Sequence, residues 1–253
     1  MKKIIPILLI AIVSFSCKSK KENTNTSQKE ENQLVISPIE HGTAAFTFGY
    51  LTAYIDPTGN ADAFVNFSAP NYIFITDIHG DHLSLKTLES LDFSKTTIVA
   101  PKAVVDKLPK EITKEIMTIN NDEEKTFGVL KVEAIPMYNL REEALKFHNK
   151  GRVNGYVFTI DNQRIYFSGD TEDIPEMRAL KNIDKAFVCM NLPYTMTVES
   201  AADAVLEFKP KEVYPYHYRG TGGLSDVAKF KNLVDSGDNT IKVVQLNWYP
   251  NQN

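Results

Sequence analysis

The residues with the most chemistry in them are five histidines, His41, His79, His82, His148 and His217. Each sits beside an apolar run or in a glycine-bearing loop, and the ends of buried strands are where α/β folds gather their sites. The densest group is Thr76-Asp77-Ile78-His79-Gly80-Asp81-His82. Four imidazole or carboxylate groups fall within six positions there, directly after the apolar run Tyr72-Ile73-Phe74-Ile75. Gly80 is expected to let the backbone bend so that residues on both sides face inward. Imidazole and carboxylate together suit zinc and, as the share of oxygen rises, manganese or iron. A loop that merely caps a strand has little use for four such groups.

Something must hold these segments together, and the patterning from Leu34 onward describes it. Ala44 to Phe48 and Leu51 to Ile55 read as strands flanking Gly49, with a turn at Asp56-Pro57-Thr58-Gly59. Tyr72 to Thr76 reads as a buried strand, Leu83 to Leu91 as a short helix, Thr96 to Ala100 as a strand, and Lys102 to Leu108 as a helix ended by Pro109. Lys125 to Met137 alternates as one strand, and Gly155 to Ile160 with Arg164 to Ser168 form a hairpin across Asp161-Asn162. Then follow a helix from Ile174 to Leu180, a strand from Lys185 to Met190, an amphipathic helix from Val198 to Phe208 and a strand from Glu212 to Tyr216. A helix from Leu224 to Val234 and a last strand from Thr240 to Trp248 complete the pattern. The strand-heavy first half and the strand–helix repetition of the second fit two sheets with helices outside.

At this point the sequence resembles a known family. The segment around His79 resembles the His-x-His-x-Asp-His signature of the metallo-β-lactamase superfamily. Other segments follow in that family's order: His41-Gly42-Thr43, then Tyr54-Ile55-Asp56-Pro57, Ser168-Gly169-Asp170-Thr171, and Tyr214-Pro215-Tyr216-His217-Tyr218. Asn191-Leu192-Pro193-Tyr194-Thr195-Met196 is similar to a pocket loop of the branch with the ascorbate-phosphate lactonases and N-acyl phospholipid phosphodiesterases. The resemblance covers nearly all of Val35 to Trp248. It implies a four-layer αββα sandwich with two divalent ions, zinc foremost and manganese or iron as alternatives. It also implies hydrolysis of an ester, lactone, amide or phosphodiester of a small molecule by a metal-bound hydroxide. Asp77 and His79 would bind the first ion, and Asp81, His82 and His217 the second. Asp170 would bridge them, and Asp81 and Asp170 would act directly in catalysis. Asp56 would orient a ligand histidine, and His41 would line the pocket or support the ligands.

Two positions depart from the family pattern. Asp77 stands where the first histidine is usual, which adds negative charge and oxygen character. Tyr138 and Asn139 stand where another histidine is expected after the Val132–Met137 strand, so His148 is expected to swing in as the replacement ligand, with Asn139 as the other candidate. Lys150, Arg152 and Arg219 flank these motifs and are candidates to hold a phosphate or carboxylate. Tyr194 and Tyr218 are candidate donors to a developing oxyanion. Cys189, within Ala186-Phe187-Val188-Cys189-Met190, reads as a small core residue.

The chain has 253 residues, long enough to bury a sizeable core without staples. Its formal net charge of -4 argues against nucleic acid as a partner, because phosphate binding needs a strong basic field. Lys2, Lys3 and the apolar run Ile4 to Phe15 fit a signal peptide over residues 1–16, too short for a comfortable membrane span. Cys17 follows, and the arrangement resembles a bacterial lipoprotein signal in which that cysteine is lipidated. Residues 17–33 carry no further apolar side chain and read as a flexible tether, leaving residues 34–253 as one domain. The protein is therefore expected to be exported and lipid-anchored at a membrane of the bacterial envelope. A catalytically inert metal-binding lipoprotein of the same fold is the alternative.

Overall fold

The computed structural model describes residues 33–91, 95–113 and 115–250. The expected signal peptide, Cys17 and the tether up to Asn32 lie outside them.

β-Branched and aromatic residues dominate the first sheet and bury it on both faces. Its strands are β1 (Val35–Glu40), β2 (Thr43–Phe48), β3 (Leu51–Ile55), β4 (Tyr72–Phe74), β5 (Thr97–Ala100) and β6 (Glu115–Thr118), in that spatial order. β1 to β3 pair antiparallel and β3 to β6 parallel. The second sheet holds β7 (Glu124–Phe127), β8 (Leu130–Met137), β9 (Val153–Ile160), β10 (Gln163–Phe167), β11 (Lys185–Val188) and β12 (Glu212–Pro215). A two-residue hairpin, β13 (Arg219–Gly220) with β14 (Gly223–Leu224), stands apart, and β15 (Lys242–Val243) joins the second sheet in the order β15-β12-β11-β10-β9-β8-β7.

Aromatic rings join the two sheets. Phe46 and Phe74 of the first meet Phe158 of the second at 5.3 and 4.7 Å between centroids. Helices α1 (Leu85–Ser90) and α2 (Lys102–Val105) cover the outer face of the first sheet, where Leu88 and Val104 cluster with Tyr54, Ile73, Ile75 and Ile98. The short α3 (Pro175–Arg178) and the longer α4 (Val198–Phe208) and α5 (Val227–Gly237) cover the second sheet with Met177, Ala201, Val205, Phe208, Phe230 and Val234. The result is the four-layer αββα sandwich.

Several elements differ from the sequence reading, each for a local reason. The run from Lys125 to Met137 is two antiparallel strands, because Gly128, at φ 60°, turns the chain between Phe127 and Leu130. The last helix begins at Val227, where the Asp226 carboxylate accepts from the Lys229 amide. Gly223 and Leu224 are paired with Gly220 and Arg219 and are not free to be helical. The final strand keeps only Lys242 and Val243 in register with Glu212 and Val213. Beyond them the chain leaves the sheet edge so that Trp248 can bury against Phe187 and Tyr216. β1, β6 and the β13–β14 hairpin were not anticipated.

Candidate metal centre

The loops after β3, β4, β8, β10 and β12, with the β1–β2 turn, converge at one end of the two sheets. β4 leads into Asp77 to His82, and two hydrogen bonds to the His79 carbonyl, from the amides of His82 and Leu83, fold that segment into a tight turn. Gly80 is not what bends it. Its φ is not positive, and a Cβ there would meet open space.

One group of candidate ligands is Asp77, His79 and His148. Asp77 Oδ2 lies 2.6 Å from His79 Nδ1 and 3.2 Å from His148 Nε2. A second is His82, Asp170 and His217, with His82 Nε2 at 3.6 Å from Asp170 Oδ2 and His217 Nδ1 at 3.1 Å from Asp170 Oδ1. A third is His41, Asp81 and His217, with Asp81 Oδ2 at 3.3 Å from His41 Nε2 and 3.4 Å from His217 Nε2. Within each group the ligand atoms lie within 4.8 Å of one another. Asp170 also approaches His148 Nε2, at 3.6 Å, so it touches both the first and second groups.

The donor set fits divalent ions on a further observation. His82 Nε2, Asp170 Oδ1 and both ring nitrogens of His217 are buried without a hydrogen-bond partner among the described residues. An unpaired buried polar atom costs about 1–3 kcal/mol, and four in one place call for a ligand that supplies the missing bonds.

Burial would raise the Asp77 carboxyl, but hydrogen bonds from His148 and His79 hold it well below the usual carboxylate range. Burial acts likewise on Asp81 and Asp170. His217 and His41 outweigh it at Asp81, and the charges of His217 and His82 at Asp170. All three stay ionised, as ligation requires. Burial would lower His82, but Asp56 and Asp170 push it well above the ordinary imidazole value. Burial and the neighbouring His217 lower His41 to about 4 against the pull of Asp81.

The supports are as informative as the ligands. Asp56, fully buried, accepts from the Thr76 amide at 2.7 Å and the Thr76 hydroxyl at 2.6 Å, and its Oδ2 lies 2.8 Å from His82 Nδ1. His41 and His217 take φ of 55° and 46°, a strained region for non-glycine residues. The His217 amide donates to the His41 carbonyl, and the two rings pack at 3.8 Å. Gly42 makes this possible, since a Cβ there would sit 2.6 Å from His217 Cδ2. The loop after β8 is strapped by buried Glu172, which accepts from the amides of Leu140 and Arg141 and from Arg141 Nε.

Asn139 is engaged through its amide nitrogen, while its Oδ1 is buried without a hydrogen-bond partner among the described residues. Its amide donates to the carbonyls of Ala144 and Tyr194, with His148 Nδ1 3.2 Å away. Tyr194 lines the cleft, with its hydroxyl 2.9 Å from Thr221 Oγ1. Arg219 does not line the cleft; its guanidinium lies 5.3 Å from the centre of the Tyr249 ring. Lys150 is engaged by Glu176 and Tyr138, and Arg152 by the Phe147 carbonyl, 3.7 Å from Asp77. The Tyr218 ring packs on Tyr249 rather than facing the cleft. Cys189 is fully buried, and burial pushes its thiol up to about 12. The sequence reading missed Tyr249, Glu172 and Phe147. Only Phe147, beside His148, carried a signal in its position.

Residues 59–218 match the family model described as the beta-lactamase superfamily domain. A UPF0173 metal-dependent hydrolase of Pyrococcus abyssi is 31% identical over 217 residues, covering 81% of this chain and 93% of the relative. A crystal structure of a protein from Parabacteroides distasonis, described as a metal-dependent hydrolase, superposes with a TM-score of 0.76 at 36% identity, over 85% of this chain and 94% of that one. A metallo hydrolase from Ignicoccus hospitalis shares the fold, with a TM-score of 0.70 at 19% identity over 84% of this chain and 94% of that one.

Proposed function

The chain belongs to the beta-lactamase superfamily domain family, among the UPF0173 metal-dependent hydrolases, and from that premise we propose that it hydrolyses an ester, lactone, amide or phosphodiester at a site for two divalent ions. The observation that carries the reading is the set of buried, unpaired ligand atoms on His82, Asp170 and His217 beside the Asp77–His79–His148 group. In this reading Asp77, His79 and His148 hold one ion, Asp81, His82 and His217 hold the other, and Asp170 serves both. Zinc is the first candidate; the three carboxylates keep manganese and iron in contention. Bound there, the ions supply a nucleophilic water at neutral pH and polarise the electrophile.

The chain's own residues set the geometry. Asp56 accepts a hydrogen bond from His82 Nδ1–H and so favours the tautomer whose Nε2 is bare to ligate. In the tautomer that lets His41 reach Asp81 through Nε2–H, the Tyr249 hydroxyl donates to His41 Nδ1 and its oxygen accepts from the Tyr218 amide. His41 then carries its own proton on Nε2 and donates it to Asp81, orienting the more exposed of the three carboxylates.

The lipoprotein reading of Cys17 places this domain on a tether at the bacterial envelope, where it meets small molecules outside the cytoplasm. Palmitate labelling of the expressed chain, lost in Cys17→Ser, tests the anchor.

The function is tested by metal analysis of the full chain together with turnover of ester, lactone, amide and phosphodiester substrates. About two ions per chain, with turnover lost in Asp170→Asn, is the expected result. Bound metal with no turnover on any class refutes the hydrolase; no metal after reconstitution with zinc, manganese and iron refutes the site.

A further inference from the structure

The cleft over the candidate ligands has a volume of about 380 Å³ and is lined by His79, Asp81, Phe147, His148, Asp170 and Tyr194. Four of these are candidate ligands, and Phe147 has no polar side-chain atom. As ligands, Asp81 and Asp170 are ionised and accept only. A ligating imidazole turns its second ring N–H away from the ion that it holds. The Tyr194 hydroxyl is therefore the one group among these lining side chains with a proton to share that the ligand set does not use.

Tyr194 sits on a loop, yet that loop is fixed along its length. Its amide donates to the Asn191 carbonyl at 2.9 Å, and its carbonyl accepts from Asn139 Nδ2 at 2.7 Å. Asn139 Nδ2 also lies 3.2 Å from His148 Nδ1, so one buried side chain separates the Tyr194 backbone from a candidate ligand. Arg141 Nη2 donates to the carbonyls of Pro193 and Thr195 on either side. The half-buried ring packs edge to face on Phe147, with 5.0 Å between centroids. That packing uses only the ring, and a phenylalanine would serve it as well.

The hydroxyl has a support of its own. It lies 2.9 Å from Thr221 Oγ1, in the turn of the β13–β14 hairpin. This hairpin follows the candidate ligand His217 after Tyr218 alone. It is docked onto the Tyr194 loop: the Thr221 amide donates to the Leu192 carbonyl at 3.2 Å, and Ser225 Oγ donates to the Met190 carbonyl. Gly220 permits the approach, since a Cβ there would fall 1.7 Å from the Leu192 carbonyl oxygen. When Thr221 donates to the phenol oxygen, the phenol proton is free for the cleft. Accepting that bond also makes the phenol a stronger donor.

We propose that Tyr194 is a further catalytic residue of this site, read as that of a metal-dependent hydrolase: its hydroxyl donates a hydrogen bond to the substrate oxygen on which negative charge gathers, and Thr221 is the residue that positions it. Water adds to the carbonyl carbon or the phosphorus, the bond to the leaving oxygen or nitrogen breaks, and the leaving group departs with one proton of that water. Tyr194 keeps its own proton throughout. A donor aimed where charge develops stabilises the transition state more than the ground state. It serves a carbonyl and a phosphoryl oxygen alike.

The test uses the metal-supplemented full chain, with p-nitrophenyl acetate and bis(p-nitrophenyl) phosphate as substrates and inorganic phosphate as a non-reacting tetrahedral oxyanion. Tyr194→Phe keeps the ring and removes the hydroxyl. On whichever substrate the parent turns over, kcat should fall about tenfold or more, short of the roughly 10²–10³ lost with a sole oxyanion donor, because the ions share the charge. KM should move far less, and metal content and melting temperature should stay parental. Tyr194→Ala removes the wall as well and should raise KM in addition. Thr221→Val, close in shape, should lower kcat by a smaller factor; a parental kcat there overturns the role of Thr221. Calorimetric binding of inorganic phosphate needs no turnover, and Tyr194→Phe should weaken it about tenfold. Where the parent turns over a substrate, kcat decides. Where it turns over neither, the hydrolase reading fails, and phosphate affinity alone decides whether Tyr194 donates to an oxyanion there. A parental value in the deciding measurement overturns the proposal, as does loss of metal in Tyr194→Phe.

Discussion

Asp56→Asn changes one atom and should disarm His82. The carboxylate is fully buried and serves three partners: the Thr76 amide, the Thr76 hydroxyl and His82 Nδ1. The amide of Asn can still accept from the Thr76 amide through its oxygen and donate to the Thr76 hydroxyl through its nitrogen. It cannot accept from His82 Nδ1 at the same time. The ring then prefers the tautomer with its proton on Nε2, the atom that faces Asp170 at 3.6 Å and would ligate the ion. Ligation must return that proton to Nδ1, against the Asn donor, and forfeits a charge-assisted hydrogen bond of about 1.5–3 kcal/mol. At about 1.4 kcal/mol per tenfold, metal affinity falls roughly 10- to 100-fold, the usual range for groups that orient a ligand. Competition against a chromophoric chelator reads that number directly. The metal-free chain gives a second readout. Asp56 and Asp170 raise His82 above its ordinary value of about 6.5. This contribution to stability is fully present below about pH 6.5 and lost as pH rises through the raised value. Asp56→Asn should flatten that pH dependence of the melting temperature. An affinity within threefold of the parent, beside an Asp170→Asn control that loses metal, would falsify the assignment of His82 Nε2 as a ligand.

Three further outcomes follow from the geometry. His148→Ala should remove about one of two ions by mass spectrometry of the full chain; retention of both assigns His148 to the cleft wall. Gly42→Ala forces a Cβ to 2.6 Å from His217 Cδ2, and such overpacking costs about 1–3 kcal/mol. The chain should stay folded by circular dichroism yet bind the second ion at least tenfold more weakly, and parental affinity would show that His217 does not need its present position. The Cys189 peptide should resist iodoacetamide at pH 8 in the native chain, because the thiol is buried and pushed up to about 12, and should label fully in denaturant. Fast native labelling would mean the second sheet opens there.

Where side-chain pattern decides structure, the sequence was legible. The β2–β3 hairpin, the β9–β10 hairpin with Asp161 and Asn162 at positive φ, and α4 with the Thr197 side chain capping its first turn are local events written in adjacent residues. The ordered motifs likewise gave the segments that converge on the site. What the sequence did not reveal depends on distant partners. The short β15 is set by how Trp248 buries, and Tyr249 reaches His41 only because the chain leaves the sheet at that point. Glu172 looks like any surface glutamate until it is seen to hold the amides of Leu140 and Arg141. Lys150 looked free as a charge in a string and is held in space by Glu176 and Tyr138, while Arg152 reaches back to the Phe147 carbonyl and Arg219 lies over the Tyr249 ring.

The two departures at the first metal group fit one physical account. A carboxylate at position 77 is fully buried, so it needs donors, and His79, His148 and the Ile78 amide supply them. His148 reaches it from the middle of a loop rather than from the end of β8. A ligand on a loop is only as well placed as the loop, and this one is held at both flanks: Glu172 grips Leu140 and Arg141 on one side, and Arg152 ties back to the Phe147 carbonyl on the other. Phe147, adjacent to His148, forms the cleft wall. The same strapped loop therefore sets a candidate metal ligand and one wall of the cleft together. Weakening the Glu172–Arg141 clasp, as in Glu172→Gln, should loosen metal binding and raise KM in step, while a change at the cleft wall alone, at Tyr194, should raise KM and leave metal content at the parental level.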